Sequence, residues 1–290
     1  DRAIAVERGE RRMSDLTIVL PVYGRLRFTE RCVLQISKIA VLLEMTAGND
    51  RLPVREYFGA ICDAVHCVNT PYAMLCDNDD LPTVMLHSCV EFLNANPDYV
   101  CASGRIQGFY MWPDLVTGPH SAVVGQYSPY DTPANYNQDD ISERVLAGFA
   151  NSWSYYGVYR TEALLQIWRD VVSLDLTNLQ VHEKFCAMRT LTLGKAICFG
   201  FDTTLYRQHG TSQGAVWTLD PGIDMLKVLT VMAAEGVDRD ALQRAWAAWY
   251  ETRDRQLHSP LRKTLKAAFP TLAWYVQNRH RYLPHRSLPI

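Results

Sequence analysis

The sequence predicts an α/β sheet domain over residues 14–220, followed by a helical appendage over 221–290. Three observations carry this reading. Short continuous apolar runs alternate with stretches of helical character through the first two hundred residues. This is the pattern of strands and crossover helices. From Asp224 to Trp274 the pattern becomes almost purely helical, broken at Gly236 and Pro260. Polar and acidic segments stand where apolar runs end, and open α/β sheets bind ligands beyond the carboxyl ends of their strands.

The elements follow in order. Leu16 to Val22 reads as a strand buried on both faces, stopped by Tyr23-Gly24-Arg25. Thr29 to Ile39 reads as a helix. Ala40 to Leu43 is an apolar run that periodicity alone leaves open between strand and helix. Arg55 to Val68 is predicted helical and Tyr72 to Cys76 a strand. Leu81 to Leu93 is predicted as the next helix, stopped by Asn94-Ala95-Asn96-Pro97. Tyr99 to Ser103 is a further strand. Gln107 to Asp140, rich in Gly, Pro, Tyr and Asp, reads as long loops with room for short strands. A short helix is expected at Ile141 to Leu146, a strand at Ser154 to Tyr159 and a helix at Thr161 to Val171. Leu179 to Leu193 reads as a helix closed by Gly194 at the C′ position, and Ala196 to Phe201 as a returning strand.

Bulk properties bound the function. The 290 residues are 48% hydrophobic and 21% charged, ordinary for a soluble globular protein, and the net charge of −2 gives no reason to expect nucleic acid. No apolar run reaches bilayer-spanning length. Asp1 to Ser14 is charged and lacks the apolar core of a signal peptide. The eight cysteines form no C-x-x-C pair and sit mostly among apolar neighbours. They read as reduced buried thiols of a cytoplasmic protein, not as a disulfide frame or a zinc site.

The densest chemistry is Asp77-Asn78-Asp79-Asp80, at the end of a predicted strand. Carboxylates so close together repel unless a cation or ligand compensates. On an extended segment Asp77 and Asp79 point the same way and can converge on one divalent metal with oxygen ligands. Leu81 and Pro82 exclude an EF-hand loop. The competing reading is that Asp79 or Asp80 caps the following helix, with Pro82 near its first turn. Capping needs one acid, not three.

These residues resemble a known family, the family-2-type glycosyltransferases with the GT-A fold, and within it a bacterial branch carrying a T-P-Y-x-x-x-x-D-N-D-D run. Leu20-Pro21-Val22-Tyr23-Gly24-Arg25 is similar to the family's first-strand motif. Thr70-Pro71-Tyr72 through Asp77-Asn78-Asp79-Asp80 is similar to its DxD segment. The resemblance spans about residues 16 to 210. It implies a GT-A-like, mainly parallel mixed sheet and transfer of a sugar from a nucleotide-diphosphate donor, UDP or a similar nucleotide, with Mn²⁺ or Mg²⁺. It implies that Asp77 and Asp79 hold metal and nucleotide. It also places Pro21, Tyr23 and Arg25 at the nucleotide. Turn chemistry at a strand end is the plainer account of Tyr23 and Arg25.

The same resemblance gives meaning to three further segments. Glu183, in Val181-His182-Glu183-Lys184, falls at the second position of the family's usual Glu-Asp pair, with Arg189 and Gly194 keeping the downstream spacing. It becomes the catalytic base of an inverting transfer, with His182 where the family's first acid stands. The plainer account is a solvated Glu favoured by the helix dipole. Arg207 and His209, after a strand, fall where the family reaches the diphosphate and the metal. Trp153, Tyr155 and Tyr156 fall where it shapes the sugar pocket. Near the second-strand motif Ala47 or Glu44 replaces the usual base-binding Asp, and the span from Tyr23 to Asp77 is short for the family.

Other signals are set against this reading. Gly210-Thr211-Ser212-Gln213-Gly214 fits a hydrolase elbow but lacks the helix and downstream strands that such an elbow needs. A nucleotidyltransferase would require a Gly- and basic-rich loop after the first strand. A non-catalytic nucleotide-sugar-binding module is the rival from another class. Arg253 to Arg286 is basic and helical with interleaved aromatics. It fits either contact with the inner face of an anionic membrane, near a lipid-linked or other carbohydrate acceptor, or a solvated face whose aromatics pack inward.

Overall fold

The computed structural model describes residues 13–22, 26–46, 53–112, 122–127, 133–149, 153–208 and 222–258. Among them the strands form one mixed sheet in the order β2-β1-β3-β8-β5-β9-β4, with β6 on β5 and β7 on β9. β1 (Leu16–Val22) is buried along its whole length and runs parallel to β2 (Val41–Thr46) and β3 (Tyr72–Leu75). The apolar run that sequence left open is therefore β2. β1 and β3 show period-2 packing on two covered faces. Leu16, Ile18, Leu20, Tyr72 and Met74 enter one core cluster; Val19, Ala73 and Leu75 enter the other.

Helices cover both faces. α1 (Leu26–Ile39) and α3 (Leu86–Ala95) pack Cys32, Ile36, Leu86, Cys89 and Leu93 into the first cluster. α2 (Val54–His66), α5 (Thr161–Leu174) and α6 (Leu179–Leu193) build the second with Phe58, Ile61, Trp168 and Phe185. The architecture is α/β and GT-A-like, with the sheet's longest ladder, between β5 (Tyr99–Trp112) and β9 (Lys195–Gln208), also parallel.

Several expectations need correction. The helix expected from Leu81 begins at Leu86. Leu81–Pro82 is instead a short strand, β4, antiparallel to Leu205 and Thr204 of β9. Pro82 lacks an N–H and drives Leu81 into extended backbone. Thr83 then completes the pairing through its N–H on the Thr203 carbonyl at 2.9 Å. The residue before α3 is Met85, with no side-chain cap, so neither Asp79 nor Asp80 caps it. The strand expected from Ser154 is a 3-10 turn at Trp153–Tyr156 followed by β8 (Val158–Arg160), antiparallel to both β3 and β5.

β5 and β9 run well beyond their expected ends. Part of the presumed loop region holds β6 (Ala122–Tyr127) and β7 (Ala134–Tyr136). Gly194 is extended (φ 174°), not left-handed, and its requirement is space: a Cβ there would lie 2.6 Å from Val100 Cγ1. α4 (Ile141–Gly148), α7 (Gly222–Ala234) and α8 (Arg239–His258) complete the fold, with Gly236 (φ +91°) turning the chain between the last two. Among the described residues no helix is long and apolar enough to cross a membrane.

Candidate functional site

The carboxyl end of β3 delivers the acidic run. Cys76 N–H extends the pairing to the Val19 carbonyl at 3.1 Å, and Asp80 N–H closes a turn on the Asp77 carbonyl at 3.1 Å. Asn78, fully buried, donates from Nδ2 to Thr29 Oγ1 at 3.0 Å and ties the turn to α1. Behind the turn the Cys32 and Cys76 thiols both reach the Asp77 carbonyl, at 3.6 and 3.5 Å. A hydrogen bond with Cys32, then burial, then the Asp80 and Asp77 charges hold the Cys76 thiol well above its ordinary range. It stays protonated, as expected for a structural thiol.

Asp77, Asp79 and Asp80 each bring a carboxylate oxygen within 4.8 Å of the others. Asp79 and Asp80 are buried and Asp77 is half-buried. Such a set of hard oxygen donors suits Mg²⁺ or Mn²⁺ better than softer metals. Sequence reading named Asp77 and Asp79 as the metal ligands and left a cap of the next helix open to Asp79 or Asp80, so Asp80 was missed as a third carboxylate. The misplaced start of α3 was the cause.

The second acid lies on α6. From Val181 to Leu191 every residue of this helix is buried except Glu183, which is half-exposed. His182 turns the other way. It stacks on Phe58 (centroids 4.3 Å apart), packs on Trp168 and meets the edge of Tyr155. Burial pushes it down to about 3, against a backbone contact with Leu179 that raises it, so it is neutral at physiological pH. His182 does not stand in for the missing acid.

The 3-10 turn joins the two acid sites. Tyr156 donates its hydroxyl to Asp77 Oδ2 at 3.3 Å. The Tyr155 phenol is held well above its usual range by burial first, then by Tyr57, Asp77 and Glu183. One hydroxyl thus lies within the field of both Asp77 and Glu183. Burial, then the charges of Asp80 and Asp77, raise Tyr156 likewise, so it remains a donor.

Of the remaining residues singled out from sequence, Pro21 is buried in β1 opposite Met45 of β2. Arg207 lies in β9, two residues beyond the Leu205 that pairs with Leu81, so the backbone of β9 passes beside the acidic turn. Glu44 is an exposed residue of β2. Tyr23, Arg25, Ala47, His209 and the Gly210–Gly214 run lie outside the described residues, as does the tail beyond His258. A cavity of about 220 Å³ lined by Met13, Asp15, His87 and Glu91 lies at the opposite, amino end of β1, away from these acids.

No protein-family model matches the chain, and no curated protein sequence does. Solved structures do match in fold. S. aureus TarS 1-349 in complex with UDP-GlcNAc aligns with a TM-score of 0.51 at 11% identity, over 93% of this chain and 78% of that one. The same protein in complex with UDP aligns with a TM-score of 0.51 at 12% identity, over 93% and 89%. At these identities the likeness is one of fold.

Proposed function

We propose that this protein is a metal-dependent, inverting glycosyltransferase that takes a sugar from a nucleotide-diphosphate donor, a UDP-sugar, to an acceptor hydroxyl. The observation that carries the reading is the three-carboxylate cluster beyond β3, with Asp77 of that cluster and Glu183 of α6 both acting on the Tyr155 hydroxyl. The fold likeness to a protein bound to UDP-GlcNAc supports it.

Asp77, Asp79 and Asp80 would hold Mn²⁺ or Mg²⁺, joined by His209. The cation, when bound, neutralises the diphosphate as it leaves. Arg207 would contact the diphosphate, which suits a guanidinium. Glu183 accepts the proton from the acceptor hydroxyl as its oxygen attacks the anomeric carbon. The bond to the diphosphate oxygen breaks, its electron pair leaves with the nucleotide, and the anomeric centre inverts.

Two substitutions test this. Asp79→Ala is expected to abolish Mn²⁺-dependent UDP binding in calorimetry; unchanged binding overturns the metal assignment. Glu183→Gln is expected to keep donor binding while transfer falls by about 10²–10⁴-fold; full transfer overturns the base. The inward turn of His182, which leaves one carboxylate on α6, favours a second reading as a non-catalytic nucleotide-sugar-binding module. That reading requires UDP-sugar binding with no release of UDP by the wild-type protein, with acceptor or with water.

A further inference from the structure

We infer that Tyr156 is a positioning residue for the donor half of the site, holding Asp77 in place through its hydroxyl; this rests on the proposed function. The two residues are 79 positions apart in the chain, and their contact at 3.3 Å is made by a side chain with little freedom. Tyr156 and Tyr155 end one 3-10 turn and pack into different cores. Tyr156 packs against the cluster of Ile18, Leu20, Met74 and Cys76. Tyr155 packs against that of Phe58, Trp168 and Phe185.

The His182 ring closes on the Tyr155 edge with centroids 6.2 Å apart, and Tyr155 and Tyr156 themselves meet edge to face at 5.1 Å. The turn is thereby pinned from both faces of the sheet, and the phenol oxygen stands where the packing puts it. Asp77 is the half-buried member of the cluster, so its rotamer is the least constrained by burial. A carboxylate with one oxygen held by a fixed donor loses the rotamers that would turn it out of the site, which lowers the ordering cost of closing a cation. The contact is long for a hydroxyl–carboxylate pair. It can shorten when the cluster closes, as contacts of unloaded sites do.

Tyr156→Phe removes the oxygen and keeps the ring. The measurements are calorimetric titration of Mn²⁺ into the protein with UDP present, thermal melting of the metal-free protein, and the same titration in Asp77→Asn and in the double variant. The expected result is a Mn²⁺ affinity weakened roughly five- to ten-fold in Tyr156→Phe, the size of one ordinary net hydrogen bond. The metal-free melting temperature should stay within about 2 °C of wild type. In the Asp77→Asn background the second substitution should add less than two-fold. Equal affinity in Tyr156→Phe and wild type overturns the inference alone, as does an equal loss in both backgrounds, which would make the effect independent of Asp77. A wild-type protein that binds neither Mn²⁺ nor UDP overturns the functional reading and the inference with it.

Discussion

His182 gives the chain an acid sensitivity that can be assigned to one residue. Its imidazole is 1% exposed, wedged between Phe58, Trp168 and Tyr155, and burial holds it at about 3 where an unfolded chain would show 6.5. Above pH 6.5 neither state binds this proton. Below it the unfolded chain protonates and the folded chain does not, so stability falls as the pH drops from 6.5 towards 3. Between pH 6.5 and pH 5 the loss is about 2 kcal/mol. His182→Phe keeps a flat ring in the same slot and removes two buried ring nitrogens. Urea unfolding at pH 7 and at pH 5 should then show the variant losing about 2 kcal/mol less than wild type between the two; an identical loss would clear His182 of this role. The crowded carboxylates Asp77 and Asp79 are a local signal in the sequence, whereas Glu183 was singled out only by the family resemblance. Sequence could not show which way His182 turns, or that Tyr156 meets Asp77, because those depend on how a turn 79 residues downstream packs on the sheet.

At the scale of elements, the strands with continuous apolar runs were legible nearly whole, and the glycine-interrupted ones only over their first residues. β1 and β3 announce themselves because both of their faces are covered. β5 and β9 carry Gly104, Gly108 and Gly200, and their ladder shifts register at bulges around residues 99–106. An apolar pattern broken in this way looks like a loop from sequence. The glycine at the closest crossing is required by space. A Cβ on Gly104 would lie 2.2 Å from the Phe201 carbonyl oxygen and 2.8 Å from Thr203 Cγ2. A backbone atom cannot move aside as a flexible side chain can. Gly104→Ala is therefore expected to cost about 3 kcal/mol and to lower the melting temperature by roughly 6–12 °C. Gly59 in α2 is the control, since a Cβ there meets nothing within 4 Å. Gly59→Ala should be neutral or raise stability by up to about 1 kcal/mol. If both variants melt alike, close approach is not what Gly104 provides.

At the scale of the whole molecule, the helices after residue 221 do more than extend the chain. Val228, Leu229, Met232, Leu242 and Trp246 belong to the same core as Phe58 and Phe185. Asp224, buried in the first turn of α7, accepts the Thr177 and Asn178 N–H groups at 2.6 and 2.7 Å, just before α6 begins. Further along α6, Arg189 joins Asp170 at 2.7 Å and Glu235, just beyond α7, at 2.8 Å. Lys184, also buried, donates to the Phe149 carbonyl at 2.9 Å and lies over the Trp249 ring of α8. The helix that carries Glu183 is thus held at its start, its middle and its far end by α7, α8 and the turn between them. Removing everything after residue 221 would uncover an apolar face and leave the Arg189 and Lys184 charges with fewer partners, each a costly change for a buried ion. The truncated chain is expected to lose its cooperative thermal transition and to bind a hydrophobic dye, while a large part of its far-ultraviolet circular dichroism remains. A truncated chain that melts cooperatively within a few degrees of the full one would show that the sheet domain holds α6 without them. The position of the candidate base would then be a property of the first 220 residues alone.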